Sequence, residues 1–175
     1  TQAIRAVGNI IEEYDIDKQY PALGFGAKIP PTFEISHDFF LNIGNPDPYC
    51  QGVDGILEAY DTAQKSITQY GPTFFSPVIN HIAKFASVYQ DGRQYFVLLI
   101  LTDGIITDFE ETKQSLIAAS NLPMSVIIIG VGHEDFSAMH HLDADNALLR
   151  SNDGRVALRD IVQFVEMRKF IDLSD

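Results

Sequence analysis

Two runs of the sequence constrain the fold more than anything else in it: YFVLLILT, Tyr95 to Thr102, and LPMSVIIIGVG, Leu122 to Gly132. Successive side chains of a strand point to opposite faces, so a strand with one wet face alternates apolar and polar residues. The first run is apolar from Tyr95 to Leu101 without alternation, and the second is nearly so. That pattern predicts central parallel strands buried on both faces under helices. Neither run approaches the roughly 20 apolar residues that span a bilayer.

The segments around these runs read as alternating helices and strands. Ile4, Val7, Ile10, Ile11 and Tyr14 fall at helical spacing, which predicts an opening helix. Tyr20 to Ala27 reads as one short buried strand, Phe33 to Asn42 as an edge strand, and residues 44–52 as a Pro/Gly loop. Val53 to Ile67 predicts a second helix. Residues 70–77 predict a turn, with Ser76 as N-cap and Pro77 at the first position of a third helix running to Tyr89. Asp108, followed by Glu111, predicts the N-cap of a fourth helix. A short helix about Glu134 to Leu142, an irregular stretch with a turn at Asp153-Gly154, and a last strand over residues 159–167 complete the chain. The order predicts an α/β doubly wound fold in a single domain.

Charge narrows the partners. Lys and Arg number 12 against 24 Asp and Glu, a net charge of −12. So acidic a surface argues against a nucleic-acid backbone, and without a polybasic cluster it argues against direct docking on anionic lipid. Protein partners and cations fit. Thr1 to Arg5 opens no basic-then-apolar leader pattern. Cys50 is the one cysteine, so an internal disulfide is excluded, which is compatible with a reducing compartment.

In open α/β sheets ligands gather beyond the carboxyl ends of the strands. The loops to inspect are therefore Gly24-Phe25-Gly26, Thr102-Asp103-Gly104 and Gly130-Val131-Gly132. The last lacks the third glycine of a dinucleotide fingerprint, since Asp135 stands in its place, and reads as a tight turn. Cys50 has no basic neighbour in sequence to activate it. Ser36, His37 and Asp38 are neighbours on an expected strand and face alternate ways, so they form no triad among themselves. His140 and His141 point about 100° apart on a helix, which disfavours one shared ion with Asp143 and favours histidines near helix-end carbonyls. What remains is an oxygen-donor pair, the Thr73 hydroxyl and the Asp103 carboxylate, of the kind hard divalent cations accept; the alternatives are a helix cap and a capped turn.

At these residues the chain resembles a family. DKQYPALGFGAKIPP, SHDFFLN, NPDPYCQGVDGILEAY, YGPTFFSPVINHIAKFA, QYFVLLILTDGIITD, LPMSVIIIGVG and RDIVQFVEM are similar, in order and over nearly the whole chain, to the A domain of copines. That domain is of the von Willebrand factor A type. The resemblance implies a Rossmann-like doubly wound sheet, mostly parallel with one antiparallel edge strand. It also implies a metal-ion-dependent adhesion site built by an Asp-x-Ser/Thr-x-Ser motif, a threonine and an aspartate. Thr73 matches the second element and Asp103 the third. The first is absent from the chain, and with it the central strand implied to precede the opening helix, between Tyr20–Ala27 and Tyr95–Thr102. The family's final helix is likewise expected beyond Asp175, which makes residues 1–175 a single partial domain.

The implied role is a non-enzymatic protein-interaction module of a calcium-dependent phospholipid-binding protein that recruits targets to membranes. Its implied partner surface comprises Gly26, Pro72, Phe74, Gly104, Thr107 and His133, and its implied cofactor is Mg²⁺ (or Mn²⁺ or Ca²⁺) at a degenerate site. The implied location is cytoplasmic, peripheral at the plasma membrane on calcium rise, with the nucleus as a further compartment. Membrane attachment would belong to C2 domains, which this chain does not contain. The alternative is the copine-like substrate-binding domain of a RING-type ubiquitin ligase, a group whose resemblance is weaker at IPP, SHDF and NPDPYC.

Overall fold

The computed structural model describes residues 2–13, 15–143 and 147–171, so the expectation for Tyr14 lies outside the described residues. The chain divides into two compact units, Thr1–Pro72 and Thr73–Asp175.

In the first unit, helix α1 (Gln2–Glu12) lies against α2 (Gly52–Ser66). The Arg5 guanidinium reaches the Asp54 carboxylate at 3.3 Å. Around these helices run short antiparallel ribbons: β1 (Gln19–Pro21) with β6 (Tyr49–Gln51), β2 (Leu23–Gly24) with β5 (Phe39–Phe40), and β3 (Ala27–Ile29) between β4 (Glu34–Ser36) and β7 (Thr68–Gln69). Leu41, Cys50, Ala59 and Ala63 form a small core, flanked by Phe39, Ile56 and Tyr60.

Three expectations are corrected here. The single buried strand over Tyr20–Ala27 is three fragments, β1, β2 and β3, and of the eight residues only Ala27 is buried. Pro21 has no N–H to extend a ladder, and Gly26 turns the backbone at φ +70°. The edge strand over Phe33–Asn42 is likewise broken into β4 and β5, and the loop over residues 44–52 ends in strand β6. With every pair here antiparallel, the doubly wound pattern does not extend through this unit.

The second unit carries the parallel sheet. Its strands β8 (Phe96–Thr102), β9 (Met124–Gly130) and β10 (Val162–Glu166) lie in the order β10-β9-β8, joined through α4 (Phe109–Ala119) and α5 (Ser137–Asp143). Helix α3 (Ser76–Ala86) lies against α4, β8 and β9, and α5 lies against β10. Phe75, Ile79, Leu116, Met124, Ile128, Met139 and Leu142 fill the core. At the entry to the sheet the Arg159 guanidinium donates to the carbonyls of Leu122 and Met124, both at 2.6 Å, and to the Tyr95 hydroxyl at 3.2 Å. The third helix ends earlier than expected, at Ala86, with a 3₁₀ turn over Ser87–Tyr89.

The central strand is β9, because it is bonded on both sides; β8 has β9 as its one partner strand among the described residues. The expectation that Tyr95–Thr102 is buried on both faces is therefore corrected. Ile100 and Thr102 are buried, while Val97 is 53% exposed. We predict that Ile128→Ala costs about 3 kcal/mol, whereas Val97→Ala costs under about 1 kcal/mol. Urea denaturation checks both, and equal losses would contradict the assignment of β9 as the buried strand.

At the exit of the sheet the strands end level: Thr102 pairs with Gly130, and Gly130 with Glu166. Glu166 is only 6% exposed and carries a full negative charge. His140 Nε2 lies 2.7 Å and Lys169 Nζ 2.8 Å from its Oε1, while Arg168 Nε donates to Oε2 at 2.7 Å. Hydrogen bonds from Lys169, His140 and Arg168 hold its carboxyl at about 2, against an ordinary 4.5. A depressed carboxyl stabilises the fold fully above its unfolded value and stops doing so as pH falls through its folded one. We predict stability lost between about pH 4.5 and about pH 2, with a flatter profile over that window in Glu166→Gln, read from urea midpoints against pH.

Candidate functional site

Thr73 and Asp103 lie on two loops of the second unit that are fastened to each other. The Thr107 N–H donates to the Thr73 carbonyl at 2.9 Å. A Cβ placed on Gly104 would stand 3.1 Å from Thr73 Oγ1, so a glycine there lets the turn after β8 lie against the threonine hydroxyl. The same turn is closed by the Gly104 N–H donating to Thr102 Oγ1 at 3.2 Å. Thr73, Gly104 and Thr107 are thus brought together, with Phe74 half-buried beside Thr73 and Asp103 exposed at the tip.

Asp108 holds this arrangement. Its carboxylate is buried, and accepts from the Phe75 N–H at Oδ1 (3.0 Å), the Ser76 N–H at Oδ2 (2.9 Å) and the Thr112 hydroxyl at Oδ1 (3.0 Å). The first N–H groups of a helix have no partner within it. Those of α3 are met by an acid from the other loop, which also suits the positive end of the helix dipole. One capping expectation is corrected and one is met in position but not in its side-chain bond. Phe75, not Ser76, is the N-cap residue of α3, and Ser76 and Pro77 occupy its first turn. Asp108 does stand at the N-cap position of α4, but its side chain makes no capping bond to that helix's N–H groups. The sequence signal was present, an Asp ahead of an acidic first turn, but nothing local revealed that its oxygens serve a helix over 30 residues away.

The remaining expected surface residues fall in two places. Gly26 and Pro72 meet in the first unit: a Cβ on Gly26 would stand 3.6 Å from the Pro72 carbonyl oxygen, and the Tyr70 N–H donates to the Gly26 carbonyl at 2.8 Å. His133 is exposed in the loop after β9. His140, expected near helix-end carbonyls, instead bonds Glu166, a partner 26 residues away that spacing could not reveal.

Oxygen donors suit a hard cation, which takes six or more of them. The side chains of the two loops offer the Thr73 and Thr107 hydroxyls and the Asp103 carboxylate, while the Asp108 carboxylate is already engaged. No group of three His, Cys, Asp or Glu able to hold a metal occurs among the described residues. The pair suits such an ion chemically but does not by itself make a cage for one.

A family model described as Copine matches residues 1–175, the whole chain. The chain belongs to the copine family. Its helices and three-stranded parallel sheet are the α/β part of the arrangement expected for a copine domain, and the antiparallel ribbons of the first unit depart from the doubly wound pattern. Copine membership points to protein partners.

We predict that Asp108→Ala costs about 3 kcal/mol, since it removes a helix cap and leaves buried donors without acceptors. Asp108→Asn should fall between, because its one carbonyl oxygen still accepts. Thermal melts measure the loss. Backbone amide shifts at Thr73, Phe75 and Ser76 report whether the loop has moved, and unchanged shifts in a destabilised Asp108→Ala would refute the coupling.

Proposed function

We propose that this copine domain is a non-enzymatic module that captures target proteins through the loops at the exit of its parallel sheet. The observation that carries the reading is the fastening of the Thr73 loop to the Asp103–Asp108 loop, which presents an exposed carboxylate and a hydroxyl from a fixed base. Rigid presentation lowers the ordering cost of binding. Ile105, 54% exposed next to Asp103, adds apolar surface to the tip. Thr107 and Phe74 belong to the same two loops, and His133, in the loop after β9, is a further contact candidate.

In this reading calcium-dependent attachment to the plasma membrane is the work of C2 domains of a parent copine, and the domain described here selects the cargo. A divalent ion, Mg²⁺ or in its place Mn²⁺ or Ca²⁺, would be held by Thr73 and Asp103 together with oxygens from water or the partner. It would supply positive charge between the domain and a partner carboxylate.

The test is a quantitative pull-down comparing the chain with Asp103→Ala and Thr73→Ala. We expect both to lose the same set of partners at unchanged thermal stability; undiminished capture would remove the site from the mechanism. By calorimetry the pair alone should bind Mg²⁺ no tighter than about 1 mM, and micromolar affinity would show that further ligands complete the site.

A further inference from the structure

Cations are scarce in a chain of net charge −12, yet three cationic or protonatable side chains converge on one carboxylate where β10 ends. Glu166 neutralises one unit of charge. Arg168 and Lys169 bring two, and His140 adds a third when protonated. Neighbouring acids are partly engaged: Asp135 accepts from the Ser137 N–H at 2.9 Å, and Asp143 from Gln163 Nε2 at 3.2 Å, while Glu134 is exposed in the loop after β9.

Two of the three side chains rest on an aromatic floor. The Arg168 guanidinium stands over the Phe136 ring at 5.9 Å, and the His140 ring meets Phe164 edge-on at 4.8 Å. Phe136 and Phe164 are both buried and pack on each other at 5.6 Å. Above this floor the cationic ends stay open to solvent, with side-chain exposures of 50% for His140, 40% for Arg168 and 60% for Lys169. Arg has five N–H donors and Lys three, so Glu166 does not exhaust them. Within the bonded network Arg168 and Lys169 outnumber the one acid they hold, and they keep donors that point outward.

We propose that His140, Arg168 and Lys169 form an oxyanion subsite that takes a carboxylate or phosphate group carried by a protein partner. Charge-assisted hydrogen bonds from an oriented guanidinium and ammonium give such a group its hold. Acids farther than about 8 Å are screened at physiological salt, so an oxyanion's hold rests on direct bonds to these donors rather than on the net field. The site is separate from the Thr73–Asp103 pair and does not depend on that reading.

The experiment is an NMR titration of the 175-residue chain with inorganic phosphate and, separately, with an acetylated hexaglutamate peptide. Saturable shifts are expected at His140, Arg168 and Lys169. Lys169→Gln should weaken binding about fivefold or more, and it keeps the fold because Arg168 and His140 still hold Glu166. Lys84→Gln on α3 should leave the titration unchanged. Saturation by phosphate alone would assign the subsite to phosphorylated residues, and saturation by the peptide alone to acidic side chains; either upholds it. Absence of saturable shifts with both probes, or unaltered affinity in Lys169→Gln, overturns it.

Discussion

The carboxylate of Asp108 is the hinge-pin of the second unit. Two backbone donors at the start of α3 and one hydroxyl on α4 share its two oxygens. Burying a charge is costly unless it is fully hydrogen-bonded, and here the compensation comes from groups that would otherwise be unsatisfied themselves. The cap of one helix and the anchor of the exit loop are therefore the same interaction. The loop that carries Thr73 is thus tied to the loop that carries Asp103 at two places, through Asp108 to Phe75 and Ser76 and through the Thr107 N–H to the Thr73 carbonyl.

Where sequence patterns reflect local physics, they translated directly into structure. Val126, Ile128 and Ile129 bury as their composition requires, and α2 and α4 lie where periodicity and acidic first turns place them. Patterns that depend on a neighbour translated less well. Val97 is as apolar as Ile128, but its exposure follows from which strands flank β8, and no property of the residue records that. In the first unit, Tyr20 to Ala27 reads as one strand, and Pro21 and Gly26 are interruptions within it. The site followed the same division. Thr73 and Asp103 were legible as oxygen donors on loops after structured elements, whereas the engagement of Asp108 and the pairing of His140 with Glu166 needed the third dimension.

Charge is distributed with a purpose that the net value conceals. The excess of acids keeps most of the surface repellent to anions, while the exit of β10 concentrates Arg168, Lys169 and His140 around one acid. Asp103 and this cluster follow strands of one sheet, with opposite signs. A partner that presents both a base and an acid would be oriented by the pair, because the reversed pose places like charges together.

The three strands of the parallel sheet finish at one level, Thr102 beside Gly130 beside Glu166. Val131 and Met167 each still donate an N–H to the neighbouring strand, to the Thr102 and Gly130 carbonyls, and the chain leaves the ladder beyond them. The cost of lengthening a flexible loop grows only slowly with its length, and the described residues just past Val131 and Met167 have no strand pairing to disturb. Insertions after Val131 or Met167 can therefore change the surface of the rim while the register beneath stays put. A sheet cut off evenly is a mount on which recognition can diversify without refolding.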